Sequence, residues 1–399
     1  MRALIVKEFR ELARDKRTFA MLVVLPIVML TVFGYAANFS VKRVSVVVTG
    51  PAAAALAEDI EAYQTAREAI DVVAVEPSGA QATQASLELA ARDMLRDQRA
   101  AVVIVALPEA DPAAPLTDRM RAYADGSALF SAQAAQATFA RLAAEDSRDR
   151  MTAAQEQLVQ ALSQRGALAS FDPAQFAPPD LDADRLVAVL FNPDLKTSWV
   201  IVPGLTGMVL MFIGTLITSI GLVRERETGT LEQLAVMPLR PSVIILGKIV
   251  PYFVLALADM VVVTCIGVGL FGVPFTGSLW LYGATAVVFC FAALGVGVLI
   301  SSVSQNAAQA IQMAIMLLVP QVLLSGLIFP LDLMPLGVRW IGYVLPLTWF
   351  REIAVGVMLR DATLGSLWPP AVILVGMAVV VFGAATARMR FALTHGGAR

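Results

Sequence analysis

Long apolar runs dominate the chain. They lie at residues 19–39, 199–223, 243–271, 279–300, 307–329 and 371–387. Each has roughly the 20 residues that an α-helix needs to cross a hydrocarbon core. The pattern predicts a membrane all-α bundle of six transmembrane helices. The first run, in segment 18–40, lacks an evident small-residue cleavage site, so we interpret it as a retained anchor and not as a signal peptide.

Between the first two runs, residues 41–197 follow another pattern, in which short apolar stretches alternate with longer polar and alanine-rich ones. Continuous apolar stretches between helical segments are typical of parallel strands that are buried on both faces. We therefore predict an inserted α/β domain. Strands are predicted at 44–48, 71–75, 101–107, 119–124 and 186–191, and helices at 52–70, 85–98 and 127–164, with a linker at 167–183.

The other five runs lie within residues 198–388, and the last of them follows a broken apolar segment at 331–369. Each half of this segment is too short to span a bilayer. Two short helices that dip into the membrane fit the pattern, because non-helical backbone at that depth must be covered by protein. An ordinary amphipathic external loop is the alternative. The interrupting residues are Pro335, Pro346, Arg351, Glu352 and Arg360.

Composition excludes an ordinary soluble protein. The chain is 58% hydrophobic and 16% charged, with a mean hydropathy of +0.72, whereas soluble domains are about 45–50% apolar and about 25% charged. The excess apolar surface must face lipid.

The positions of the basic residues predict the orientation of the helices. Short loops rich in Lys and Arg stay in the cytoplasm, which places both termini there, including a tail at 389–399. Residues 41–197 hold 14 Lys and Arg against 22 Asp and Glu, a net charge of −8, as suits an extracytoplasmic domain. The flanking basic residues are Arg2, Lys7, Arg10, Arg14, Lys16, Arg17, Arg224, Arg226, Arg240, Arg388, Arg390 and Arg399.

The N-terminal residues 1–17 have an apolar face and a basic stripe. Such a helix lies in the membrane interface with its cations toward anionic headgroups. A plain basic arm is the alternative.

Enzyme chemistry finds little support in the sequence. The two cysteines, Cys265 and Cys290, lie in predicted spans, and the one histidine, His395, lies in the tail. We identify no catalytic residues and no metal site. Gly247-Lys248 is followed by Ile249 and lacks the glycine-rich loop that cradles phosphates, so we expect no directly bound cofactor and no ATPase activity in this chain.

Three polar residues within spans are candidates for a translocation pathway: Asp259, Gln312 and Gln321. A carboxylate at the bilayer centre costs about 2.5–3.5 kcal/mol on insertion scales, so Asp259 should face protein or water. It would bind a cationic substrate or take up a proton, or it would form a structural hydrogen bond to a hydroxyl such as that of Thr264 or to a partner subunit.

The segment after the second run, 224–236, is short, charged and bounded by Pro238. Thr228 or Thr230 would cap a short helix, and Glu232 in its first turn would be favoured by the helix dipole. Such a helix suits docking onto another protein, and a solvated turn is the alternative. The charged and capping residues are Glu225, Arg226, Glu227, Thr228, Gly229, Thr230, Glu232 and Gln233.

This segment resembles the signature region of ABC-2 type transporter permeases, and most of all their multidrug-efflux-like branch. The resemblance extends over essentially the whole chain and is weakest at 41–190. Thr228 stands where the family pattern more often continues directly from Glu-Arg to Gly-Thr. The further matching stretches are Phe191–Asp194, Pro203-Gly204, Pro238–Pro241, Gly247-Lys248 and Pro346–Thr348.

The resemblance implies roles for several segments. Residues 224–236 would form the coupling helix that enters a separate ABC ATPase subunit, which would carry the ATP and Mg²⁺. Residues 1–17 would be the elbow helix beside it. Residues 331–369 would be paired re-entrant helices closing an outer gate, with gate residues Pro330, Pro346, Arg351 and Glu352.

The function implied is that of an exporter permease in a bacterial inner membrane, moving an amphipathic or hydrophobic, drug-like or lipid-like substrate by ATP-driven alternating access. Its expected partners are ABC ATPase subunits, a second copy or a paralogue, a periplasmic adaptor and membrane lipid, and not nucleic acid. A mechanotransmitting protein that drives an external partner without passing substrate is the alternative. A membrane enzyme is the third class, for which we find no polar catalytic cluster.

Overall fold

The computed structural model describes residues 43–79, 82–108, 110–111, 114–165, 186–227 and 241–395. The predicted elbow helix, the first span, the linker and Thr228–Gln233 lie outside the described residues. The chain divides into two compact units, Val41–Thr197 and a second unit comprising Met1–Ser40 and Ser198–Arg399.

The first unit is built on a five-stranded sheet, in which the strand order is β2-β1-β3-β4-β5. The three central strands are almost wholly buried, whereas β2 at one edge alternates buried and exposed side chains. The strands are β1 (Val44–Gly50), β2 (Ile70–Pro77), β3 (Val102–Ala106), β4 (Met120–Asp125) and β5 (Val187–Leu190).

Helices cover both faces of this sheet, which explains the continuous apolar strands. Val46 and Ile104 belong to the core on one face, with Phe139 of the long helix, and Val47 and Val103 face the other core. The helices are α1 (Ala53–Ala62), α2 (Gln64–Ala69), α3 (Gln84–Arg96), α4 (Leu116–Arg119) and α5 (Leu129–Arg165).

The prediction of an inserted α/β domain is confirmed, but parallel pairing throughout is wrong. β1 pairs in parallel with β2 and β3, as does β4 with β5, whereas β3 and β4 are antiparallel. The reason is the connection between β3 and β4, which holds only the four-residue α4. The connection, residues 107–119, is long enough for a parallel crossover, but such a crossover usually contains a full helix that packs along the sheet, and α4 is too short for this. The predicted helix at 52–70 is also divided, because Tyr63 adopts an extended conformation.

The second unit is helical. In the part of this unit that the structure describes, four helical stretches are long and apolar enough to cross a membrane: Thr197–Arg224, Leu279–Val303, Ala307–Leu324 and Leu364–Arg388. A fifth is reached if the bent pair Leu336–Tyr343 and Pro346–Arg360 counts as one span. The helices are α6 (Thr197–Phe212), a π-helical segment (Ile213–Ile217), α7 (Thr218–Glu227), α8 (Pro241–Gly269), α9 (Leu279–Val303), α10 (Ala307–Leu324), a 3₁₀ turn (Leu331–Leu333), α11 (Leu336–Tyr343), α12 (Pro346–Arg360) and α13 (Leu364–His395).

The predicted count of six spans is therefore not reached among the described residues and stays a prediction. Its first span lies outside them, and side chains in α8 are described only from Phe253 onward. The predicted break at 331–369 is present, since α11 and α12 meet at 78°. The last helix starts earlier than predicted, at Leu364, and includes Pro369 and Pro370.

Small residues allow the membrane helices to approach closely at Gly295 and Gly297. A methyl group on Gly295 would lie 3.0 Å from Val381 Cγ1 of α13. On Gly297 it would lie 2.9 Å from the carbonyl oxygens of Gly214 and Thr215 in the π-helical segment. These glycines are packing residues.

Candidate functional site

The charged segment after the second span begins as a continuation of that span. α7 runs without interruption to Glu227, whose exposed carboxylate Oε1 accepts a hydrogen bond from the backbone N of Ala307 at 3.0 Å. Ala307 is the first residue of α10, where the unpaired amides and the helix dipole favour a negative charge. Glu227 therefore joins the end of α7 to the start of α10.

The other end of α10 is joined to α12. Gln321 is 1% exposed, and its Oε1 accepts from the backbone N of Leu347 at 3.3 Å. Pro346, as the first residue of α12, has no N–H, so Leu347 carries the first amide of the helix that needs a partner. Gln321 thus caps the N-terminus of α12, at the bend between α11 and α12.

The other two pathway candidates differ in their surroundings. Gln312 is exposed on α10. Asp259 on α8 is partly buried, and its Oδ2 is enclosed without a hydrogen-bond partner among the described residues. The Thr264 hydroxyl, which we expected as a partner, lies 3.1 Å from the Tyr282 hydroxyl instead. The structure does not bring Asp259, Gln312 and Gln321 together through any hydrogen bond.

The bent pair is held firmly against α9 and the segment that precedes it. Phe350 stacks on Phe289 with ring centroids 4.6 Å apart. The Thr276 hydroxyl donates to the carbonyl oxygen of Met358 at 3.0 Å. Of the predicted gate residues, Pro330 precedes the 3₁₀ turn and Pro346 starts α12.

Arg351, also predicted for the gate, lies against two glycines that sequence reasoning did not assign to a site. Its aliphatic stem packs on Gly204 of α6, and its guanidinium lies over Gly326, which has a φ of +86°. A glycine just after an apolar helix is a signal of left-handed backbone, and this signal could have drawn attention to Gly326. Glu352 follows Arg351 and is partly buried.

Among the described residues, no group of three or more His, Cys, Asp or Glu side chains could hold a metal ion. In the α/β unit, an open cavity of about 610 Å³ is lined by charged residues of both signs. These include Arg43, Glu58, Glu61, Arg67 and Asp71.

Comparison with known proteins matches most of the chain to one family. The family described as ABC-2 family transporter protein matches residues 16–387. The probable multidrug ABC transporter permease YbhS of Escherichia coli (strain K12) is 30% identical over 354 residues, 88% of this chain and 86% of YbhS. The probable multidrug ABC transporter permease YbhR of the same strain is 35% identical over 200 residues.

The YbhR alignment covers 49% of this chain and 54% of YbhR, so the chain spans about half the length of that relative. The inner membrane transport permease YhhJ of Escherichia coli (strain K12) is 30% identical over 204 residues, 50% of this chain and 54% of YhhJ. The family match, however, runs from the first predicted span to the end of the last. The chain is a multi-pass membrane protein that belongs to the ABC-2 family of transporter proteins.

Proposed function

We propose that this chain is the permease subunit of an ATP-binding cassette exporter in a bacterial inner membrane. The observation that carries the proposal is the family match over residues 16–387. The names of YbhS and YbhR as probable multidrug permeases support it. The cargo is amphipathic or hydrophobic and is taken from the cytoplasm or the inner leaflet.

The energy comes from a separate ABC ATPase pair that binds ATP and Mg²⁺. Closure of the two ATPases pushes on residues 225–233, the coupling segment. Two permeases, either two copies of this chain or this chain and a paralogue, enclose one pathway. ATP binding acts by favouring one of two conformations of the pair.

Two hydrogen bonds at the ends of α10 support a mechanical route for this push. The Glu227–Ala307 bond connects α10 to the base of the coupling segment, and the Gln321–Leu347 bond connects it to the bent pair. A helix of 18 residues, with Pro320 in its last turns, extends roughly 27 Å at about 1.5 Å per residue. Movement at the coupling segment is thereby passed to α12 and the outer gate.

The first experiment is a pull-down of the tagged chain from its native membrane in mild detergent, with mass spectrometry of what copurifies. A stoichiometric ABC ATPase is the expected result, and a second permease would identify a heterodimer. Reproducible absence of any ATPase with the chain intact would contradict the proposal.

The second experiment tests coupling in vesicles that contain the purified complex. Replacing Glu227 and Glu232 with Lys should lower ATP-driven export of an amphipathic dye at least tenfold while the complex stays inserted. Glu227→Gln is the matched control, because its amide oxygen can still accept from Ala307. Unchanged export in the double variant would refute the coupling role. ATP hydrolysis that drives an external partner without dye movement would favour mechanotransmission.

A further inference from the structure

The side chain of Arg351 occupies a notch made by two glycines on two other elements. A methyl group on Gly204 of α6 would lie 3.0 Å from Arg351 Cγ and 3.4 Å from its Cδ. A methyl group on Gly326, in the turn after α10, would lie 3.0 Å from Nη2 and 3.2 Å from Nε. Only residues without a side chain leave room for the guanidinium here.

Two hydrogen-bond donors at this notch have no partner. Arg351 makes no hydrogen bond or ion pair among the described residues, and its Nε is fully enclosed. Ser325, which directly precedes Gly326, is 0% exposed, and its Oγ is also enclosed without a partner. Buried polar groups nearly always have partners, so an unpartnered donor on α12 and another in the turn that it packs against call for a missing acceptor.

The electrostatics around Arg351 favour a negative ligand. The charged groups near enough to act on it are Glu352, Arg360 and Asp332. Asp332 forms an ion pair with Arg339 at 2.6 Å. Counted with Arg339, these groups and Arg351 comprise three positive and two negative charges, a net charge of +1.

Apolar side chains continue the notch along α6. Leu327 packs directly on Gly204. One turn further, a methyl group on Gly207 would lie 2.8 Å from Leu347 Cδ1 and 2.9 Å from Phe350 Cε1. A cationic donor cluster beside apolar walls is complementary to a molecule with an anionic head and an apolar body.

We propose that Arg351 and Ser325 bind an anionic oxygen group, a carboxylate or a phosphate, of an amphipathic molecule. The guanidinium offers a planar fork that binds such a group through two parallel hydrogen bonds, and the Ser325 hydroxyl supplies a third donor. The molecule is either exported cargo or a bound anionic lipid. Only the first of these sources rests on the proposed export function.

The test uses the complete transporter with its ATPase in phosphatidylcholine nanodiscs. The probe is dansylaminoundecanoic acid, and its methyl ester is the neutral control ligand. The wild type should bind the acid at least tenfold more tightly than the ester. Arg351→Met should abolish this preference while leaving affinity for the ester unchanged. Ser325→Ala should weaken acid binding severalfold and serves as the second variant if Arg351→Met fails to assemble.

Arg339→Met is the matched control variant, because Arg339 lies on the adjacent α11 and its charge pairs with Asp332 near the surface. It should retain most of the preference for the acid, because any effect of the unpaired Asp332 should be smaller than the loss of the Arg351 guanidinium. Arg351→Lys should retain only part of it, since the charge remains and the fork is lost. Equal binding of acid and ester by the wild type, or equal losses in the Arg351 and Arg339 variants, would overturn the proposal.

Two further measurements distinguish exported cargo from a bound anionic lipid as the natural ligand. If the ligand is cargo, ATP-driven export of the acid into vesicles occurs and is lost in Arg351→Met, while export of the ester persists. If the ligand is a lipid, phosphatidylglycerol displaces the acid and the acid is not exported. Binding of the acid without export of either probe would count against the exporter function and leave the anion site standing.

Discussion

Single glycines set the closest contacts between the membrane helices. Gly297 of α9 faces the carbonyl oxygens of Gly214 and Thr215, whereas Gly283 on the same helix has no neighbouring heavy atom within 4 Å of an added methyl group. Both positions have helical backbone in α9, but Gly297 is closely packed and Gly283 has open space beside it. Substitutions at the two positions therefore distinguish the packing role of a glycine from the effect of its low helix propensity.

Gly297→Val is expected to destabilise the protein by about 1–3 kcal/mol, because added carbons force packed helices apart. Gly283→Ala should be neutral or stabilising by up to about 1 kcal/mol, since alanine is the better helix former. Thermal unfolding of the detergent-solubilised protein measures both. Equal melting temperatures for the two variants would show that the α9 contact does not constrain the π-helical segment.

A buried aspartate organises one side of the α/β unit. Asp146 is 1% exposed and accepts hydrogen bonds from the Tyr63 hydroxyl at 2.7 Å, the Leu116 amide at 3.0 Å and Arg150 Nε at 2.8 Å. Burial, followed by the bond to Asp146, raises the pKa of Tyr63 above its ordinary value. The tyrosine therefore stays protonated and continues to donate.

Asp146→Ala should destabilise the α/β unit by about 1–3 kcal/mol, because it leaves the Tyr63 hydroxyl and the Leu116 amide without their acceptor. Asp149→Asn, at an exposed position on the same helix, should change stability by less than about 0.5 kcal/mol. Chemical unfolding followed by tyrosine fluorescence of the unit would measure the difference. Similar unfolding midpoints for both variants would contradict this structural role of Asp146.

At the scale of elements, helix ends are satisfied by side chains from elsewhere in the fold. α2 has no capping side chain of its own at Tyr63, and Glu145 of α5 accepts from the amides of Gln64 at 2.9 Å and Thr65 at 3.1 Å. The side-chain hydrogen bond with Thr65, with these two amide bonds, lowers the pKa of Glu145 below its ordinary value of 4.5.

The sign of this shift predicts a pH dependence. A carboxylate whose pKa is lowered in the folded state stabilises it above the unfolded-state pKa, and the effect is lost as pH falls through the folded-state pKa. Hydrogen exchange of the Gln64 and Thr65 amides, corrected for intrinsic rates, should therefore lose protection below pH 4.5. Glu145→Gln should remove most of this pH dependence. Glu156→Gln, an exposed position on α5, should behave as the wild type.

For the whole molecule, exposed tryptophans mark one end of the membrane unit. Trp280 opens α9, Trp340 lies on α11, and Trp368 lies in the second turn of α13, and they are 90%, 61% and 59% exposed. The short connection between α9 and α10 makes these helices antiparallel, so the start of α9 and the end of α10 share an end. Tryptophan concentrates at both membrane interfaces, so it marks an interface but not a side. The start of α10 contacts Glu227, and the basic residues near Glu227 predict a cytoplasmic position there, so we expect the opposite, tryptophan-bearing end to be extracytoplasmic.

Single cysteines should report this orientation in a background where Cys265 and Cys290 are replaced. Asp97→Cys in the α/β unit and Gln305→Cys between α9 and α10 are both at exposed positions. A membrane-impermeant maleimide should label the first in intact cells and the second only after the membrane is opened. Labelling of both from outside would refute the predicted topology.

Much of the fold could be predicted because local patterns of apolar and polar residues indicate its helices and strands. The strands near 44–48 and 101–107 are visible as apolar stretches, and the long helix near 127–164 as an alanine-rich polar one. The direction of β4 could not be predicted from periodicity, since period-two alternation is the same in either direction. It depended on the connection from β3, whose described residues hold only a four-residue helix and no full crossover helix.

The candidate site was only partly predictable. Arg351 and Gln321 stand out as polar residues in apolar segments, but what they contact is not visible from their neighbours in the chain. The partner of Gln321 is Leu347, and the notch for Arg351 combines Gly204 with Gly326, which lie far apart along the chain. Such combinations arise only when helices pack.

The sequence by itself determined that this is a membrane protein of the ABC-2 family with an inserted α/β unit, because hydrophobic run length and a local motif need no knowledge of long-range contacts. The tertiary structure decided which polar groups are satisfied. It paired Glu227 with Ala307 and Thr264 with Tyr282, and among the described residues it left Arg351 Nε and Ser325 Oγ without a hydrogen-bond partner. Hydrogen bonding and burial depend on residues that only folding brings together.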